Sequence, residues 1–365
     1  MNFTILRETL LEELQLLQGI VEKRNTMPIL ANVLMNAAGS DVELTGTDLE
    51  VGLRTRVPAA IEEEGAITVN GKKFFEVVKS LPEGQTVRVE KKDDTIEVKA
   101  GESEFRIMGL PRDDYPQVPG STFERNIRLP LKDLQEMIDR VYYAITQEQR
   151  YYLNGALLSL GDRKMELVST DGHRLSYTKK AEDGLKPEKD VSIIVAKKTL
   201  NELRKFEGDS VDFDMDENNL FFKVGDRVLI SRIIESKFPN YQAVIPKDNP
   251  GRLSIGREVL ANAVRRVSLL SSERSKGIKF TVEKNRLRLF SSNPEIGEAQ
   301  DRLDVAYKGQ DIEIGFNAQY LLDFLTAAGS ESVVFEIKDE NSAVLLKPEA
   351  EEAIAHLYVL MPMKI

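Results

Sequence analysis

Ser169, Asp171, His173 and Arg174 stand together in the run Leu167-Val168-Ser169-Thr170-Asp171-Gly172-His173-Arg174-Leu175. By residue type they are the leading candidates for chemistry in the chain. The run reads as a strand that stops at a turn. Leu167 and Ser169 alternate with Val168 at a period of two. Asp171 can bond its own downstream backbone, and Gly172 tolerates positive φ. Asp171 and His173, two apart, can share one face. A Ser-His-Asp reading also needs a nucleophile in reach of the imidazole and an oxyanion hole. No sharp Gly-x-Ser-x-Gly turn surrounds Ser169, and the second histidine, His356, lies far along the chain. A structural or surface-lining histidine is the favoured reading, and no catalytic residue is assigned.

Other chemistries find less support. There is no cysteine, which excludes disulfides, thiolate nucleophiles and Cys-ligated metals, and fits a reducing compartment. No His-Glu-x-x-His and no EF-hand spacing occurs, so no metal is expected. Neither phosphate-cradling motif, Gly-x-x-x-x-Gly-Lys-Ser/Thr or Gly-x-Gly-x-x-Gly, is present, so no cofactor is expected. Met1 leads into an alternating and then helical pattern without the features of a signal peptide, and no run of eighteen apolar residues occurs. The cytoplasm is the expected home. The net charge of −10 argues against nucleic acid, but one basic face can coexist with an acidic exterior.

The elements that position these residues come in three copies. The 365 residues suit two or three domains, and 41% hydrophobic with 30% charged residues is a globular composition. The first third reads as strand 1–6, helix 9–21, strands 29–37, 41–47 and 51–57, a short helix near 69–81, and strands 86–90, 95–100 and 104–107. The middle third repeats the order: strand 126–129, helix 131–144, strands 154–160 and 164–169, short helix 196–206, and strands 209–214, 219–224 and 228–233. The last third has helix 256–270, hairpin 277–282 with 286–291, short helix 317–328, and strands 333–338, 343–347 and 357–361. Asp48, Asp171 and Asn293 mark the same strand end, at steps of 123 and 122 residues. Such a period means whole domains, not solenoid units. The expected fold class is therefore α+β: three tandem copies of one domain, each with two helices packed on antiparallel sheets, divided as 1–120, 121–247 and 248–365.

Basic residues recur on equivalent helices: Lys72 and Lys73 on the first short helix, Lys197, Lys198 and Arg204 on the second, and Arg266 on the long helix of the third copy. Recurrence would point these faces in one direction. The chain ends in Leu357-Tyr358-Val359-Leu360-Met361-Pro362-Met363-Lys364-Ile365, where Pro362 breaks the last strand. The two methionines offer flexible apolar surface suited to several partners.

Five motifs in order carry a resemblance: Arg24-Asn25-Thr26-Met27-Pro28-Ile29-Leu30, Arg150-Tyr151-Tyr152-Leu153-Asn154-Gly155, Thr170–Leu175, Phe238-Pro239-Asn240-Tyr241 and Tyr358–Met363. The chain resembles the bacterial sliding clamps, the β subunits of replicative DNA polymerase III. The resemblance implies that two chains close head to tail into a ring, each supplying half. Helices would line a hole that encircles double-stranded DNA without sequence preference. The ring would tether the replicative polymerase, clamp loader and repair proteins through short linear peptides, with no chemistry of its own and no membrane.

By the same resemblance Arg24, Lys198, Gln147, Tyr151 and Tyr152 contact DNA; Lys72, Lys73, Lys197, Arg204 and Arg266 join them from helix placement. The peptide groove implied by the family comprises Leu153, Thr170, Gly172, His173, Arg174, Leu175, Pro239, Val244, Leu345, Val359, Leu360, Met361, Pro362 and Met363. A groove position often basic in the family is here Ala243. At the ring interface Phe105 and Ile107 would meet Leu269 and Leu270, while Lys73, Lys99 and Arg106 would face Glu295, Glu298 and Asp301. Two other readings remain open: a three-domain enzyme centred on His173, and an acidic scaffold that binds peptides only.

Overall fold

The computed structural model describes residues 1–21, 27–124, 126–146 and 153–365. Among them are six α-helices: α1 (Arg7–Leu17), α2 (Gly71–Ser80), α3 (Leu131–Tyr142), α4 (Lys197–Leu203), α5 (Arg257–Ser268) and α6 (Ala318–Ala327). All six fall where the periodicity places them. The first is shorter than expected, ending at Leu17 instead of Val21. There the Gln18 side chain donates to the carbonyls of Leu14 and Gly71, which ties the chain to the start of α2. Asn70 and Asn317 cap α2 and α6 by accepting from backbone amides two or three residues on. The middle copy has Ala196 at that place.

The chain forms two compact units that divide the middle copy: Met1–Lys132 with Lys198–Ile233, and Asp133–Lys197 with Ile234–Ile365. In the first unit, a thirteen-stranded antiparallel sheet joins the copies by pairing Arg227–Arg232 with Val51–Pro58, so that Leu229 opposes Leu53. In the second, a nine-stranded sheet makes the equivalent junction between Arg174–Ala181 and Ile354–Leu360, running from Arg174 opposite Leu360 to Lys180 opposite Ile354. In both junctions the strand leaving an Asp turn receives the last strand of the following copy. This continuity is why the contact units cut across the repeat.

The second unit also holds a four-stranded sheet in the order Gly297–Asp304, Arg286–Asn293, Gly277–Glu283 and Ile312–Asn317. Its inner face and helices α5 and α6 bury Phe280, Phe316, Phe324, Phe335 and Tyr358. Each such ring contributes about 1.5–3 kcal/mol on leaving water, which is why these copies close without disulfides. Several strands have no counterpart in the sequence reading, among them Arg174–Ala181, Val191–Ala196, Gly251–Gly256 and Gly297–Asp304. Among the described residues, no helix is long and apolar enough to cross a membrane.

Candidate functional site

The Asp171 turn is built by side chains bonding their own backbone. Asp171 Oδ1 accepts from the amides of His173 (2.9 Å) and Arg174 (3.0 Å), and Thr170 Oγ1 accepts from Gly172 N and donates to the Arg174 carbonyl. Gly172 has φ +90°. The first copy repeats each bond. Asp48 Oδ1 accepts from Glu50 and Val51, Thr47 Oγ1 serves Leu49 and Val51, and Leu49 takes the strained φ of +78°. Asn293 Oδ1 accepts from Glu295 N in the third copy. The repeat is thus a repeat of bonding.

This arrangement is not a catalytic triad. Ser169 is fully buried and donates to the Val141 carbonyl, while His173 is exposed. His173 contributes backbone instead: its carbonyl accepts from Met361 N at 3.0 Å. Arg174 turns inward. Its guanidinium donates to Asp171 Oδ2, Asp323 Oδ2 and the Tyr143 carbonyl, with its carbon 4.1 Å from the Tyr320 ring centroid and 5.5 Å from that of Tyr143. It holds α6 and the end of α3 against the turn.

A Ser-His contact does exist nearby, between Ser176 Oγ and His356 Nε2 at 3.0 Å. Both residues are buried, and Tyr143 and Phe324 lie against the imidazole. Burial, helped by the charge of Arg140, pulls the His356 pKa down to about 3. The folded state therefore refuses a proton that the unfolded state takes near pH 6.5. This contribution is complete above pH 6.5 and is lost as pH falls toward 3, at up to about 1.4 kcal/mol per pH unit. Urea unfolding between pH 7 and 4.5 should show a loss that His356→Gln lacks; an equal pH slope in the variant would refute this.

An apolar cluster lies beside the turn. Leu153, Val168, Leu175, Ile194, Ile234, Phe238, Leu345 and Val359 form its buried floor, with Leu157, Tyr177, Tyr241, Ile245 and Ala343 half-buried around it. The expected groove residues Leu153, Leu175, Leu345 and Val359 come together here. Pro239 and Val244 are exposed beside Phe238 and Ile245, and Gly172, His173 and Met361 are exposed at the turn and tail. Thr170, Pro362 and Met363 are half-buried. Leu360 is a correction: strand alternation sends its side chain into the other cluster, with Leu346 and Tyr358. Arg174, also expected in the groove, is half-buried at the turn with its charge taken up by Asp171 and Asp323. Phe238 and Tyr241 were visible as a motif but not as floor, and Tyr241 stacks on Tyr177 with centroids 5.8 Å apart.

The basic residues are mostly paired. Lys72 and Lys73 are exposed on α2 and both reach Glu76 (3.6 and 2.8 Å). Lys197 donates to the Ile145 carbonyl and lies 5.1 Å from the Tyr142 ring centroid; Lys198 donates to the Ile20 carbonyl and pairs with Asp48. Arg204 is exposed, and Arg266 is exposed and bonded to Asp301. Arg24, Gln147, Tyr151 and Tyr152 lie outside the described residues.

Two of the open strand edges carry or adjoin the residues expected at the ring interface. Ser103–Met108 pairs with Thr95–Ala100 on one side only, carrying half-buried Phe105 and Ile107. Gly297–Asp304 is the edge of its sheet. Leu269 is 78% exposed, Leu270 is half-buried, and Glu295 and Glu298 are exposed. The sequence reading missed Met108 (72% exposed) and Ile296 (59%). Within the chain, Lys99 and Arg106 are already paired with Glu97, as Arg266 is with Asp301. Lys92 first, then Arg106 and Lys99, hold the Glu97 carboxyl down to about 2.

Comparison with known proteins gives consistent matches along the whole chain. Family models of the DNA polymerase III beta subunit match in order: the N-terminal domain over residues 1–119, the central domain over 128–240 and the C-terminal domain over 242–364. The beta sliding clamps of Salmonella typhimurium and Escherichia coli K12 are each 36% identical over 370 residues, covering all of both chains. The crystal structure of the DNA polymerase III subunit beta from Pseudomonas aeruginosa matches at TM-score 0.94 and 36% identity, again over all of both chains. A sliding clamp from that organism bound to griselimycin matches at TM-score 0.93 and 35% identity over the same coverage.

Proposed function

The chain belongs to the family of DNA polymerase III β subunits, the bacterial sliding clamps, and we propose how its own residues perform that task. It is a processivity factor and not an enzyme: it encircles duplex DNA and tethers the replicative polymerase. Two copies close head to tail in the cytoplasm, with domains at 1–120, 121–247 and 248–365. The open edge at Ser103–Met108 in one copy joins that at Gly297–Asp304 in the other, through Phe105 and Ile107 against Leu269 and Leu270. Backbone pairing and apolar contact dominate this joint, because exposed ion pairs contribute little. Lys73, Glu295 and Glu298 sit at its rim.

A topological tether needs no tight site. Lys72, Lys73, Lys197, Lys198, Arg204 and Arg266, with Arg24, Gln147, Tyr151 and Tyr152, face the DNA and touch backbone without reading bases, which permits sliding. The carboxylates beside Lys72, Lys73, Lys198 and Arg266 keep those contacts weak. The peptide groove carries the tethering half of the reading. The single supporting observation is the apolar floor of Leu153, Leu175, Leu345 and Val359, rimmed by the exposed Pro239, Val244 and Met361. Polymerase, loader and repair partners lay Leu or Phe anchors there. Ala243 supplies no cation at a rim position that is often basic in the family.

The test is retention on circular against linear DNA. Protein loaded on a nicked circle should stay through gel filtration and be lost within minutes of linearisation. Equal retention on both forms would overturn topological binding.

A further inference from the structure

The C-terminal tail does not fray. After the Met361 amide bonds to the His173 carbonyl, the Met363 amide donates to the Gly315 carbonyl at 2.9 Å. The tail thus links Ile354–Leu360, a central strand of the nine-stranded sheet, to Ile312–Asn317, which is otherwise the edge of the four-stranded sheet. Covering an edge in this way removes unpaired backbone groups.

Beyond Met363 the chain finds a seat. In the ladder Gly277 opposes Asn317 and Gly315 opposes Lys279, so both glycines lie on one face, while Ile278 and Phe316 between them are fully buried on the other. The glycine face is otherwise polar there, with Lys279 paired to Glu313. Ile365, though 63% exposed, lays its Cγ1 and Cδ1 over the gap. A Cβ at Gly315 would come within 2.3 Å of the Met363 carbonyl oxygen and 2.7 Å of Ile365 Cδ1; one at Gly277 would meet Ile365 at 3.3 Å. Gly315 takes no positive φ, so space and not backbone conformation demands a glycine.

We propose that Gly277 and Gly315 form a seat for the C-terminal Ile365, and that this seat positions Met361 and Met363 as the wall of the peptide groove. The seat deepens the groove reading and rests on it for its purpose. A tail held at His173, at Gly315 and at Ile365 presents its two methionines in one place. A tail held only at His173 must be ordered by each arriving peptide, at a cost in affinity.

The test uses full-length Gly315→Ala and Ile365→Ala in two measurements. The first is release of Ile365 and Lys364 by carboxypeptidase, which needs no peptide. The second is binding of a dye-labelled peptide with Leu and Phe anchors. Gly315→Ala should be trimmed at least about tenfold faster and bind about tenfold more weakly; Ile365→Ala, which leaves the sheet untouched, should bind about fivefold more weakly. Trimming of wild type as fast as Gly315→Ala overturns the seat. Rapid trimming with unchanged peptide affinity overturns its positioning role. If wild type ignores the probe, the groove reading and the positioning role fail, while the trimming rates still decide the seat.

Discussion

Removal of Met361–Ile365 leaves a ring that no longer holds its partners: peptide affinity falls at least about 100-fold, or about 3 kcal/mol, while the solution mass stays near twice 41.1 kDa. The loss has two sources. Met361, Pro362 and Met363 supply one wall of the site, and truncating such anchors commonly costs 2 kcal/mol or more. The tail also covers the edge at Ile312–Asn317 through Met363, so its removal bares that backbone. Neither open edge assigned to dimer closure touches the tail: Ser103–Met108 and Gly297–Asp304 keep their own ladders. Fluorescence anisotropy with a labelled peptide and light scattering on the same sample read both halves. A truncated protein that binds peptide as wild type does would sink the groove assignment; a truncated protein that turns monomeric would sink the separation of groove from joint.

Much of this architecture is legible in the chain because the core is patterned. Leu10, Leu14 and Leu17 on α1, and Leu260, Ala263, Val264 and Val267 on α5, recur at helical spacing and are buried. The strand Gly297–Asp304 was not legible. Its alternation sets Glu298, Gln300, Arg302 and Asp304 against Gly297, Ala299, Asp301 and Leu303, so the inner face offers only Ala299 and Leu303 as an apolar signal. Its place as an edge explains this, since an edge strand is kept polar. The Asp turn was visible as residue types, and its first-copy twin at Asp48 exposed the repeat. Leu49 shows why the match was hard to see further: it fills with a strained φ the place that Gly172 fills freely. Half of the groove floor, Leu153, Leu175, Leu345 and Val359, was expected; Val168, Ile194, Ile234 and Phe238 were not, because strand 191–196 went unread and the segment 234–238 joins the floor only through tertiary packing.

Arg174 shows where residue type and role part company. In the run that opened the sequence reading it sits next to His173 and looks like a groove cation. In the fold its side chain is 9% exposed and occupies the centre of a cage made by Asp171, Asp323, the Tyr143 carbonyl and the rings of Tyr143 and Tyr320. Gln319 orients Asp323 from one turn earlier on α6. Arg174→Ala leaves two carboxylates and a carbonyl facing a cavity, so about 3–5 kcal/mol of stability is lost. Arg174→Lys keeps the charge but cannot reach three acceptors with one planar fork, so it recovers only part of the loss. Arg174→Met with Asp323→Leu removes the cation and one of its two carboxylates, leaving Asp171 to its bonds with the His173 and Arg174 amides, and should lose less stability than Arg174→Ala, because much of the penalty of the alanine variant is stranded charge and not missing attraction. Urea unfolding of the four proteins separates these cases. The cage also fixes Gly172 and His173, and with them the carbonyl that holds Met361. Peptide affinity in Arg174→Lys should therefore fall as the turn loosens, with the ring still closed. Loss of less than 1 kcal/mol in Arg174→Ala would show that the cage is ornamental and that the turn is held by Thr170 and the Asp171 backbone bonds alone.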